Sequence, residues 1–154
     1  MKGTLIALLG FLLLAASIVR GQFIYTINSG TITITGYSGP GGVVTIPNTI
    51  SGLPVTGIGD SAFALNQNLA GVIIPDSVTN LGNGAFHDCY NLTNVSLGHG
   101  VSSIGGGAFL ASSLNSVIIP PVQFLRWGMT LASPISWSNF MNRGLSCSPS
   151  HSCW

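Results

Sequence analysis

From Val43 to Pro120, apolar side chains return every 23 positions while the polar letters between them drift. Phe63, Phe86 and Phe109 keep that spacing, and so do Ile58, Leu81 and Ile104. A glycine follows each aliphatic, at Gly59, Gly82 and Gly105, and an alanine precedes each phenylalanine, at Ala62, Ala85 and Ala108. Upstream, Leu69, Leu92 and Leu114 open the segments LAGVIIP, LTNVSLG and LNSVIIP, so the third unit is one residue short. A fixed period of this length marks a repeat array in which each unit packs only on its neighbours. The units run 43–71, 72–94 and 95–116, with a partial unit at 117–120.

Within a unit the pattern specifies local structure. In VIIP, Val72 and Ile74 are two apart and share one side of a strand, while Ile73 points to the other. Proline or glycine closes each strand, at Pro47, Pro75, Gly98 and Pro120, because proline has no amide to give to a ladder. The segments IGDSAF, LGNGAF and IGGGAF are too short and glycine-rich for a long helix and predict one helical or 3₁₀ turn carrying phenylalanine inward. The recurring glycine requires either a backbone angle or a close approach that a side chain forbids. Five extra residues around SGLPV in the first unit predict a loop bulging from one face. Ahead of the array, Phe23 to Tyr37 alternates apolar and polar residues about the turn NSG. That pattern predicts a β-hairpin within residues 22–42, capping the N-terminal end of the stack. The fold class is therefore a repeat solenoid of short parallel strands and short turns.

Leu69 to Leu92 reads L-x-x-V-x-I-P-x-x-V-x-x-[IL]-G-x-x-A-F-x-x-C-x-x-L. This run resembles the BspA-like class of leucine-rich repeats, a bacterial type with a period of about 23 residues. Cys89 falls where that class often has cysteine, whereas Asn66 and Ser112 stand there in the other units. The resemblance implies a secreted or cell-surface protein of adhesion type that binds other proteins.

Composition narrows the function further. Only 5% of the 154 residues are charged, against roughly 25% in an ordinary soluble protein. Lys2 is the only lysine, and the arginines Arg20, Arg126 and Arg143 are scattered. Nucleic acid is excluded as a partner, since it demands clustered cations. Residues 1–21 read as a signal peptide: one charge at Lys2, an uncharged stretch to Val19, and small residues at Val19 and Gly21 for cleavage. The stretch is short for a spanning helix, so the membrane enters only if this segment is retained as an anchor. Cleavage after Gly21 leaves Arg126 and Arg143 against Asp60, Asp76 and Asp88, a net charge of −1. Export favours disulfides, and Cys147 with Cys153 is the candidate pair. Cys89 inside the array reads as a small buried apolar side chain. No metal is expected, because Cys147, His151 and Cys153 give three ligands at most where zinc needs about four, and no cofactor motif is present.

Catalysis has little to draw on. The candidate acids and bases are Asp60, Asp76, Asp88, His87, His99 and His151. In repeat register Asn48, Asp76 and His99 form a column just past the strand end, which allows a histidine–carboxylate pair. Turn preference alone also accounts for that column. The serine of GYSGPGG lacks the second glycine of a nucleophile elbow, and GGGAF lacks the lysine of a phosphate loop. Asn91 and Asn94 open N-x-[ST] sequons that read as accidental in a bacterial-type repeat. No catalytic residue is assigned, and the chain is not expected to be an enzyme. A binding surface remains. The outward strand positions Thr45, Ile73, Ser96 and Ile118 form its central row, flanked by Val43, Gly71, Asn94 and Ser116. Four strands span only about 15 Å between the outer two, less than a standard interface occupies. The alternative to a binding module is therefore a structural fragment of a longer repeat protein without activity of its own.

Residues 121–154 break the pattern, holding Trp127, Trp137 and Trp154 and none of the expected V-x-x-I-G-x-x-A-F. They form either a dedicated cap or out-of-frame sequence. Translation of the gene's other frames past codon 120 separates the two: returning IGxxAF units establish a frame change, and their absence leaves the cap.

Overall fold

The structure, a computed structural model, describes residues 22–118. They form a β-solenoid. The expected signal peptide at 1–21, the 121–154 tail and the expected Cys147–Cys153 pair lie outside the described residues. Ten strands occur among the described residues: β1 Phe23–Asn28, β2 Thr31–Tyr37, β3 Gly42–Thr45, β4 Thr49–Ile50, β5 Leu53–Ile58, β6 Leu69–Ile73, β7 Asn80–Leu81, β8 Asn94–Ser96, β9 Ser103–Ile104 and β10 Ser116–Ile118. None of the helices that would be long and apolar enough to cross a membrane occurs among the described residues.

Each coil has three sides. One is a four-stranded parallel sheet in the order β10-β8-β6-β3, with Val44, Val72, Val95 and Val117 in one register row. A second side carries β5, β7 and β9, paired through Ile58, Leu81 and Ile104. The hairpin β1–β2 turns at Ser29 and Gly30, both with positive φ, as a two-residue hairpin loop requires. It joins the second sheet through Ile34 against Ile58. Thus the hairpin extends one sheet, while β3 remains the edge of the other.

The third side departs from the sequence expectation. No α or 3₁₀ helix forms there among the described residues. Bonds of 3₁₀ type do occur, from Ala62 N to Gly59 O, Ala64 N to Ser61 O and Asn66 N to Phe63 O. However, the intervening amides of Ser61, Phe63 and Leu65 donate to Asn83, Ala85 and His87 in the next coil. A helix would keep all those donors within the segment. Alternate donation instead builds a ladder of turns. Its geometry places Leu65, Asp88 and Ala111, one per coil, at φ 62°, 56° and 55°, the left-handed region that side-chain-bearing residues pay to enter.

The glycine after each aliphatic answers to close approach. A Cβ at Gly82 would lie 2.5 Å from the amide nitrogen of Asp60, and one at Gly105 2.6 Å from that of Asn83. Neither glycine has positive φ. The five-residue insertion is ordered rather than merely bulging: β4 and β5 pair antiparallel, Thr49 with Pro54 and Ile50 with Leu53, around Ser51 and Gly52.

The core is a set of columns. Ile58, Leu81, Ile104, Leu69, Leu92 and Leu114 are all buried. Phe63 and Phe86 stack with centroids 4.9 Å apart, and Phe86 and Phe109 at 5.2 Å with planes 2° from parallel. Tyr37 stacks on Phe63 at 5.2 Å, and Phe23 meets it edge-on at 6.5 Å. The strand spacing of about 4.8 Å is close to the separation that offset rings favour. Phe63 and Phe86 each have a stacked ring on both sides, so truncating either should be costly. Urea unfolding should show Phe86→Ala losing about 3–5 kcal/mol. Leu65→Gly, at an exposed left-handed position, should instead gain up to about 1 kcal/mol, the relieved backbone penalty outweighing the added chain entropy.

Candidate functional site

Parallel pairing brings the outward strand positions together. Thr45, Ile73, Ser96 and Ile118 stand opposite one another in a single register row, and Val43, Gly71, Asn94 and Ser116 in a second. Each is outward because its neighbour, Val44, Val72 or Val95, faces the core. Val43 is 69% exposed, Ile73 44% and Ile118 63%, so a row of aliphatic side chains faces solvent between hydroxyl and amide groups. Gly71 is buried in this surface despite its place in the outer row.

Two shallow depressions follow. One, of about 560 Å³, is lined by Ile73, Pro75, Asp76, Ser96, His99 and Ile118 among others. The second, of about 320 Å³, lies over Val43, Gly71, Ile73, Asn94, Ser116 and Ile118. They share Ile73, Ser96 and Ile118 and so form one continuous trough.

Polar groups gather at the rims without forming a reaction centre. Asp76 Oδ1 accepts from the His99 amide at 2.8 Å and meets His99 Nδ1 at 3.1 Å. Those two contacts hold the Asp76 carboxyl below its usual titration range, the backbone bond first. Both side chains are open to water, at 70% and 61% exposure. On another side, Asp88 takes His87 Nδ1 at 3.0 Å and the Tyr90 hydroxyl at 3.1 Å. The proton on Tyr90 is held more tightly by that carboxylate. Asp60 serves the architecture: its Oδ1 accepts the Asn83 amide at 2.7 Å, and Asn83 Oδ1 accepts the Gly106 amide at 2.9 Å. Sequence reading missed this ladder, although Asp60 and Asn83 are one period apart. No three His, Cys, Asp or Glu side chains converge on a possible metal position among the described residues.

Cys89 is fully buried, and its Sγ donates to the Phe63 carbonyl of the preceding coil at 3.1 Å. Ser112, one coil on, turns its hydroxyl to Phe109 O at 2.6 Å instead. Burial pushes the Cys89 thiol up to about 11. Since the thiolate is the reactive form, this cysteine is chemically quiet.

A family match to "BspA type Leucine rich repeat region" covers residues 43–127 in six copies, running past Pro120, where the period breaks. Among solved structures, a leucine-rich repeat protein of T. pallidum is 34% identical, with a TM-score of 0.63 over 65% of this chain and 48% of that one. A leucine rich cell surface protein of Faecalibacterium prausnitzii is 34% identical, with a TM-score of 0.53 over 63% of this chain and 30% of that one. A leucine-rich repeat protein of Bacteroides capillosus is 28% identical, with a TM-score of 0.58 over 65% of this chain and 95% of that one. The chain thus spans about half or less of the first two relatives. No curated protein matches it.

The buried thiol gives a direct test. With Cys147 and Cys153 changed to serine, a colourimetric thiol reagent at pH 8 should count no thiol in the folded protein and one in denaturant. The folded thiol titrates above its unfolded counterpart at 9.0. Its contribution to stability is therefore complete below pH 9 and lost as pH rises from 9 toward 11.

Proposed function

We propose, from the premise that the chain belongs to the BspA-type leucine-rich repeat family, that it is an exported, surface-displayed module that binds another protein or cell-surface macromolecule and catalyses no reaction. The observation carrying this reading is the continuous trough over Ile73, Ser96 and Ile118, where aliphatic side chains stand in water beside hydrogen-bonding groups. Exposed apolar surface rimmed by polar groups is the usual mark of an interaction site. Export is supported by the leader-like residues 1–21, and surface display by the likeness to the F. prausnitzii cell surface protein. The Asp76–His99 pair at the rim is solvated and accounted for by turn geometry and inter-coil bonding, so acid–base chemistry adds nothing to this reading.

A second reading, a structural segment of a longer repeat protein with no activity of its own, is favoured by size. Four strands about 4.8 Å apart present a face about 15 Å wide, and a partner held there alone gains little affinity.

Binding of labelled full-length protein to fractionated extracellular proteins distinguishes the two. The binding reading expects saturation, with Ile73→Asp weakening it about tenfold or more, as loss of an interface anchor does. Leu65→Asp, on the turn side, should leave affinity unchanged. Non-saturable binding, or equal binding by both variants, favours the structural reading.

A further inference from the structure

Resting on the strand-face reading, we propose that the trough takes an extended polypeptide segment in which an aliphatic side chain is followed closely by a lysine or arginine. Three observations carry it. First, the trough has an apolar floor at Ile73, Ile118 and Pro75 and a single carboxylate, Asp76, at its end. Second, that carboxylate has capacity left. His99 occupies Oδ1 through its amide and Nδ1, and among the described residues nothing bonds Oδ2. The other two carboxylates are engaged elsewhere, Asp60 with the Asn83 amide and Asp88 with His87 and Tyr90. Third, residues 22–118 contain no lysine or arginine. Beyond His99, already on Oδ1, a cation for Asp76 comes from outside these residues.

Size and chemistry select the class of ligand. Ile73 and Asp76 lie three residues apart and line one depression, so at most about 10 Å of chain separates them. A partner strand advancing about 3.3 Å per residue that seats an aliphatic side chain over Ile73 brings its next one or two residues toward Asp76. The flexible four-carbon stem of lysine spans the remainder. Among the described residues, no phenylalanine, tyrosine or tryptophan lines the trough for a sugar to stack on. At the opposite end, the missing side chain of Gly71 leaves the second depression open. A Cβ there would meet Val43 Cγ2 at 3.4 Å and Asn94 O at 3.5 Å, ordinary contact distances. Gly71 therefore supplies room on the surface rather than relief for the backbone, and a larger residue fills the depression without breaking the coil.

The test uses the full chain with labelled isoleucine methyl groups, titrated with acetyl-Val-Leu-Lys-Val-amide and with acetyl-Val-Leu-Glu-Val-amide. The lysine peptide should move the Ile73 and Ile118 methyl signals saturably and bind about threefold more tightly than the glutamate peptide, the scale of an exposed ion pair. That margin should shrink in high salt. Asp76→Asn, which keeps an acceptor for the His99 amide, should abolish the preference, and Gly71→Val should weaken both peptides. Equal binding of the two peptides, a lysine preference that survives Asp76→Asn, or unmoved Ile73 and Ile118 signals overturns the proposal. If these failures occur while extracellular protein still binds in an Ile73-dependent manner, only the ligand class is wrong. If that binding is also lost, the strand-face reading itself fails.

Discussion

The distance between neighbouring coils governs this molecule. Parallel strands settle about 4.8 Å apart because their amides and carbonyls must meet. Aromatic rings stacked one per coil must accept that same separation, and the centroids at 4.9 Å and 5.2 Å show that they do. Backbone bonding and ring packing therefore impose one repeat length, and each reinforces the other. Anything that intrudes between coils is excluded, which is why Gly82 and Gly105 have no Cβ to press on the preceding coil. Polar side chains survive between coils only where they bond the adjoining backbone, as Asp60 and Asn83 do.

Much of this was legible in the letters. The columns of Phe63, Phe86 and Phe109 and of Ile58, Leu81 and Ile104 are visible because core contact between copies keeps residue types alike. The facing of Ile73 against Val72 and Ile74 follows from strand alternation. The turn side was not legible. IGxxAF has the length and composition of a helical turn, and the string carries no mark that every second amide leaves for the next coil. Nor do Leu65 and Ala111 advertise left-handed backbone, since glycine or asparagine is the usual sign of it. The Asp60–Asn83 ladder was hidden for a related reason: the third unit has Gly106 at that position, so the column reads as drift.

The trough shows the same division. Its rows could be drawn from strand alternation, but its shape depends on Gly71, whose small size in the second coil has no counterpart in Val43 or Asn94. The Asp76–His99 contact could be anticipated from register. The structure adds its setting: both groups are open to water and line the trough. A surface almost devoid of charge leaves recognition to shape, to scattered hydroxyls and to single carboxylates, which suits modest affinity repeated along an array.

A stack of near-identical coils carries a hazard: slipping by a whole coil exchanges one phenylalanine for another and one leucine for another, so the core itself barely resists a shifted alignment. The small β4–β5 hairpin lifts that degeneracy. Only the first coil holds the extra residues between Asn48 and Val55, whose backbones bond across the insertion at 2.9 Å, and no other level of the stack has chain to build it. It acts as a phase marker, tying the numbering of the sequence to the numbering of the coils.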